Sequence, residues 1–159
     1  MFKLTKILCI FVLTKIGTLA FAADPSINVD KNDLAIGGYD PVAYFSDNKA
    51  KKGKSSYTAV HDGAIYHFSS AKNRDLFRKD AEKYAPQYGG FCAFGVTKHR
   101  KFTVDPKAWR IVDGKLYLNL NKKIQGLWVK DISGHIGSSE KIWPEIEGST
   151  DTYLESVSS

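Results

Sequence analysis

Residues 57–68 read YTAVHDGAIYHF, and they give the clearest indication of the fold. Apolar and polar side chains alternate on both sides of Asp62 and Gly63, which is the pattern of a half-buried β-strand. Asp-Gly is a strong signal for a two-residue hairpin turn, because both residues tolerate positive φ angles. The stretch therefore predicts an antiparallel β-hairpin.

A second hairpin is predicted further along the chain, where residues 109–118 read WRIVDGKLYL. Each hairpin is followed by a residue suited to capping a helix, Ser70 in one case and Asn121 in the other. Aligning the two Asp-Gly pairs without a gap matches Ile65 with Leu116, Tyr66 with Tyr117, and Phe77 with Trp128. Either a hairpin-and-helix unit used twice or two unrelated capped hairpins would give these few matches, so both explanations stay open.

Hairpins followed by helices are typical of α+β domains. We expect a small antiparallel sheet of two hairpins packed against several short helices, in one domain over residues 23–147. A chain of 159 residues with 43% hydrophobic content can bury a core without a lattice of disulfides. Residues 24–31 are polar and are expected to be poorly ordered. Residues 148–159 are rich in Ser and Thr and are expected to form a disordered tail.

The first 22 residues have the pattern of a cleaved signal peptide. Lys3 and Lys6 precede the apolar run ILCIFVL of residues 7–13, and residues 20–22 read AFA, a small-residue cleavage pattern. The apolar run is far shorter than the roughly 20 residues of a spanning helix, so we expect no stable membrane span in the mature form. The sequence therefore predicts export to the periplasm or the extracellular space.

Removing this segment lowers the net charge of the chain and so changes which partners the charge suggests. Three of the 23 basic side chains lie in residues 1–22, so the formal net charge falls from +6 to +3. The remaining basic cluster, residues 98–101, has no aromatic residues between its cations and is expected to be a solvated loop. We therefore expect no nucleic-acid partner.

The same cleavage leaves Cys92 as the only cysteine, because Cys9 lies in the signal segment. An intramolecular disulfide is then impossible. Four roles stay open for Cys92: a buried inert thiol between Phe91 and Phe94, a metal ligand, a nucleophile, or an intermolecular bridge.

Cys92, His67 and His61 are the candidate metal ligands. A thiolate with one or two imidazoles suits copper, zinc or nickel. Their spacing along the chain supports no particular site, and each residue has an alternative reading. Cys92 could be a small core residue, His67 a hydrogen-bonded side chain on a strand, and His61 an exposed residue beside a turn.

The sequence has none of the common catalytic patterns. It contains no G-x-S-x-G nucleophile elbow, no Gly-rich phosphate loop, no H-E-x-x-H and no C-x-x-C-H. We therefore expect that the protein is not an enzyme.

Several separated motifs resemble the YHS domain family, a small module related to the treble-clef (TRASH-like) metal-binding domains. These motifs are DPV at residues 40–42, YHFSS at 66–70, PQYGGFCA at 86–93, DPKAW at 105–109 and VDGKLYLN at 112–119. The later ones look like those of exported bacterial YHS-domain proteins, and the resemblance covers residues 34–145. It implies the family's fold, with Asp40, Tyr66 and Ser69 as motif positions of structural importance.

The family's usual metal site is not implied, because its cysteines are replaced. YHS domains associated with heavy-metal transport read D-P-V-C and Y-x-F-C-S-x-x-C, whereas this chain has Ala43, Ser69 and Asn73 at those cysteine positions. Two functions follow as expectations. The first is an exported YHS-like domain that binds a transition metal, copper above all, or serves metal handling. The alternative is a metal-free interaction or scaffold module that presents an aromatic surface including Tyr39, Tyr44 or Tyr88.

Overall fold

The computed structural model describes residues 24–149. The predicted signal peptide at residues 1–22 and residues 150–159 of the predicted tail lie outside the described residues. Within them, no helix is both long enough and apolar enough to cross a membrane.

Both predicted hairpins are confirmed. Strand β1 (Lys54–His61) pairs antiparallel with β2 (Ala64–Phe68), and β3 (Asp105–Val112) pairs antiparallel with β4 (Lys115–Asn119). At the turns, Asp62 and Asp113 both have a φ of 49°, and the glycines that follow are also left-handed, as a type I′ turn requires. The hairpins form two separate two-stranded sheets, and the α+β class is confirmed.

Each hairpin leads into a helix that begins at the predicted cap. The Ser70 hydroxyl accepts a hydrogen bond from the Asn73 N–H at 3.1 Å, and α2 (Ala71–Lys79) follows. The Asn121 side chain accepts from the Ile124 N–H at 2.9 Å, and α5 (Lys122–Trp128) follows. The other helices are α1 (Ala43–Ser46), α3 (Ala81–Tyr84), α4 (Ala93–Val96) and α6 (Ile132–Ile146).

The structure contains the hairpin-and-helix unit twice, and the likeness extends upstream of both hairpins. Short 3-10 turns at Ile36–Gly38 and Tyr88–Gly90 each have three successive residues with positive φ. Immediately before them, Ala35 donates its N–H to the Ile65 carbonyl at 2.9 Å, and Gln87 donates to the Leu116 carbonyl at 2.8 Å. We call residues 33–79 the first repeat and residues 85–130 the second repeat.

A one-residue difference between the repeats hides their upstream likeness from an ungapped alignment. Asp40 and Cys92 lie 52 positions apart, whereas Asp62 and Asp113 lie 51 apart. With that shift included, the Asp40 N–H donates to the Lys51 carbonyl at 2.9 Å and the Cys92 N–H donates to the Phe102 carbonyl at 3.0 Å. Asp40 and Cys92 therefore occupy the same place in their repeats.

The core consists of two apolar clusters. In the first, the Phe77 ring lies 4.8 Å from the Tyr66 ring and 5.1 Å from the Phe68 ring, measured between centroids. In the second, Trp128, the counterpart of Phe77, packs 5.4 Å from Tyr117. Burying one such ring contributes about 1.5–3 kcal/mol. The first cluster also contains Leu116 and Leu118 of the second repeat, so it joins the two repeats.

Two expectations about the chain's polar segments are wrong. Lys101, expected in a solvated loop, is only 3% exposed, and its ammonium donates to the carbonyls of Pro25 at 2.7 Å and Glu147 at 2.9 Å. Residues 24–31, expected to be poorly ordered, are held against the second repeat, since the Asn28 N–H donates to the Gly89 carbonyl at 2.8 Å. Lys101 thus joins residues near the two ends of the described chain.

Candidate functional site

Cys92 lies at the start of α4 and is 1% exposed. Its sulfur accepts hydrogen bonds from the N–H groups of Gly95 at 3.4 Å and Leu120 at 3.2 Å. Burial raises the pKa of the thiol, although these N–H groups act in the opposite direction. Because the thiolate is the form that attacks electrophiles and binds metals, the structure favours the buried, inert thiol among the four roles left open.

Asp40 has the equivalent position in the first repeat and is fully buried. Its Oδ1 accepts from the N–H groups of Val42 at 2.9 Å and Ala43 at 3.2 Å, which begin the short helix α1. Its Oδ2 accepts from both the N–H and the hydroxyl of Ser69 and from the Asn73 amide, at 2.7 to 2.8 Å. Asp40 and Ser69 therefore join α1 to the end of β2.

Tyr66, the third motif position, lies in the first core cluster and is 2% exposed. Its ring packs against Phe77. Burial raises the pKa of the Tyr66 hydroxyl well above its ordinary value, with smaller contributions in the same direction from Asp62 and Glu82. The three motif positions are thus buried or half-buried parts of the fold.

His67 is half-buried on β2, beside the left-handed turn of the first repeat. A Cβ added to Gly38 would lie 3.4 Å from His67 Nδ1, and one added to Gly53 would lie 2.7 Å from the His67 Cβ. These two glycines therefore leave the space that the histidine occupies.

His61 lies at the end of β1, next to the hairpin turn. Its Nε2 lies 3.3 Å from an Asp62 oxygen and 3.4 Å from a Glu82 oxygen. The imidazole also contacts the Phe77 ring edge-on, with centroids 5.9 Å apart. The side chain is 20% exposed, against 59% for Asp62 and 86% for Glu82, so a half-buried imidazole faces two accessible carboxylates.

Residues 24–149 contain one group of side chains that could together bind a metal ion. Ligand atoms of His61, Asp62 and Glu82 all lie within 4.8 Å of one another, and no group of three or more in this range includes Cys92 or His67. The structure thus does not bring the predicted ligands Cys92, His67 and His61 together, because Cys92 is enclosed in the second repeat. Glu82 was missed because it lies in α3, far from His61 in the sequence, and no motif links the two.

The aromatic surface expected of an interaction module is not formed by the residues that suggested it. Tyr44 is fully buried and Tyr88 is 9% exposed. Tyr39 is half-buried, with the Lys52 ammonium 4.9 Å from its ring centroid. These three rings therefore offer no exposed cluster for a partner.

Comparisons of the chain with protein-family models, with curated proteins and with solved structures find no match. The likeness to YHS domains therefore rests on the motifs quoted above.

Proposed function

We propose that this protein is an exported YHS-like domain that binds a divalent transition-metal ion at His61, Asp62 and Glu82. The observation that carries the proposal is the approach of one imidazole and two carboxylates to within 4.8 Å of one another. Cys92 and His67 have no part in the proposed site. Its role is metal binding or metal handling, without catalysis.

The donor set indicates which ions to expect. One nitrogen and two oxygen donors suit Cu(II), Ni(II) or Zn(II), and Cu(II) binds most tightly to such sites in the usual order of divalent affinities. Copper remains the leading candidate, in its divalent form, because a site without thiolate gives no preference for Cu(I).

The surroundings of His61 support ion binding in two ways. The Phe77 ring contacts the imidazole and limits its rotation, so part of the ordering that a bound ion requires is already present. Asp62 lies in a tight turn, which places its carboxylate beside the imidazole, while the exposed Glu82 is free to adjust. An ion would then replace the two ion pairs that His61 makes when it is protonated.

The test is calorimetric titration of the chain with Cu(II), Ni(II) and Zn(II), with variants His61→Ala and Glu82→Gln. We expect micromolar or tighter binding of Cu(II), weakened at least about tenfold in each variant. His67→Ala and Cys92→Ala are the controls and should bind like the unmodified chain.

Two results would contradict the proposal. Binding that is lost in Cys92→Ala but kept in His61→Ala would show that the ion binds at the Cys92 thiol and not at His61. If no ion binds, metal binding is removed, and a metal-free interaction module would need a surface other than Tyr39, Tyr44 and Tyr88.

A further inference from the structure

A groove of about 740 Å³ lies between β3 and α5, in the second repeat. Trp109, Arg110 and Ile111 line it from the strand, and Lys122, Gln125 and Gly126 line it from the helix. Small-molecule sites commonly have volumes of about 300–1,000 Å³, so the groove has the size of a ligand site.

The corresponding strand and helix of the first repeat are bridged by a long side chain. There Arg78 reaches from α2 to β1 and donates to the Thr58 carbonyl at 3.0 Å. The counterpart of Arg78 in the second repeat is Val129, and the counterpart of Asp75 is Gly126. The carbonyl equivalent to that of Thr58 belongs to Trp109, and the shorter side chain of Gln125 donates to it instead. The second repeat thus keeps a bridge to this carbonyl, and its groove is lined by Val129 and Gly126 where the first repeat has Arg78 and Asp75.

Gly126 has no packing reason to be glycine. A Cβ added there would meet no atom within 4 Å, although glycine within a helix costs about 0.5–1 kcal/mol relative to alanine. The absent side chain leaves the groove open on the side of the helix.

The lining also has a definite charge. Arg110 and Lys122 are both exposed cations, and the described residues that line the groove include no carboxylate. Trp109 also lines the groove, and its indole makes an edge-on contact with Tyr44 at 5.1 Å between centroids. Two cations beside an aromatic ring complement an anion that carries a flat apolar group.

We propose that the groove between β3 and α5 binds a small organic anion with an aromatic or flat apolar part, such as an aromatic carboxylate. Arg110 and Lys122 attract the anionic group, Trp109 contacts the flat part, and Gly126 leaves the space. This site does not share residues with His61, Asp62 and Glu82, so it does not depend on metal binding.

The test uses 2-naphthoate as the probe and 2-naphthylmethanol as its uncharged analogue. Binding to the isotope-labelled chain is followed by the NMR shifts of the Trp109 indole N–H and the Gly126 amide. We expect naphthoate to bind with a submillimolar Kd and the alcohol to bind at least about fivefold more weakly. Arg110→Gln should weaken naphthoate binding about fivefold or more while leaving the alcohol unaffected.

A matched pair of glycine variants tests the position of the site. Gly126→Leu should abolish binding, whereas Gly137→Leu, an equally open helical glycine in α6 outside this groove, should bind like the unmodified chain. The amide spectrum of each variant shows whether it is folded. Equal affinity for the acid and the alcohol, equal losses in the two glycine variants, or no shift at millimolar naphthoate would each overturn the proposal.

Discussion

Asp40 and Cys92 occupy the same place in the two repeats, yet their chemistry differs. Each begins a short helix and accepts the N–H of the residue after the second strand, which is Ser69 for Asp40 and Leu120 for Cys92. The Asp40 carboxylate accepts five hydrogen bonds, whereas the Cys92 sulfur accepts two. The fold requires a buried acceptor at this place, and the two repeats meet that need with different groups.

The neighbouring residues explain the difference. Ser69 and Asn73 supply polar hydrogens to Asp40, but their counterparts in the second repeat are Leu120 and Ile124, which have none on their side chains. A buried carboxylate needs several donors to offset the loss of hydration, while a neutral thiol needs few. The thiol therefore fits its place as a weak acceptor that also donates to the buried Asn119 side-chain oxygen at 3.8 Å, and its presence gives no sign of reactivity.

The largest effect is expected from removing the acceptor of the first repeat. Asp40→Ala leaves the donors of Val42, Ala43, Ser69 and Asn73 buried without their partner, and we expect a loss of about 3–5 kcal/mol in the free energy of unfolding. Urea denaturation followed by circular dichroism measures it. Asp75→Ala, on the exposed side of α2, is the control and should cost less than about 0.5 kcal/mol. A loss no greater than that of the control would show that the five hydrogen bonds do not stabilise the domain.

The same truncation in the second repeat should cost less. Cys92→Ala removes a helix cap and leaves the Leu120 N–H without its acceptor, so we expect a loss of about 1–2 kcal/mol, measured by the same denaturation. If this loss equalled that of Asp40→Ala, the two places would be energetically alike, and the count of hydrogen bonds would not explain their stability.

Local signals made most of the fold predictable. The Asp-Gly turns and the caps Ser70 and Asn121 depend only on neighbouring residues, and all of them lie where the sequence places them. Lys101 was misjudged because its burial comes from the carbonyls of Pro25 and Glu147, which are distant in the chain. A cluster of cations is expected to be solvated when only its neighbours in the sequence are considered.

The candidate site was less predictable for the same reason. His61 was recognised as a possible ligand, but its partner Glu82 comes from α3, and the two meet only because α2 packs against the first hairpin and α3 packs against α2. Cys92 was a candidate because it is the only thiol that the predicted cleavage would leave, and this chemical argument carries no information about burial. The one-residue difference between the repeats also concealed that Cys92 corresponds to Asp40.

The smallest expected effect is an increase in the free energy of unfolding. It concerns a position at which the helices of the two repeats differ. Gly126 stands in α5 where α2 has Asp75, and Gly126→Ala should raise the free energy of unfolding by about 0.5–1 kcal/mol, because the added methyl meets open space and alanine favours the helix. Gly134→Ala in α6 is the contrasting variant. Its Cβ would lie 2.1 Å from an Asp131 oxygen, so the Asp131 carboxylate would have to move and α6 would lose the cap that accepts from the Gly134 N–H, which should destabilise the domain. Thermal unfolding of both variants measures the difference. A stabilised Gly126→Ala variant would mean that glycine at this position does not serve stability, whereas a destabilised one would mean that the added methyl meets atoms lining the groove.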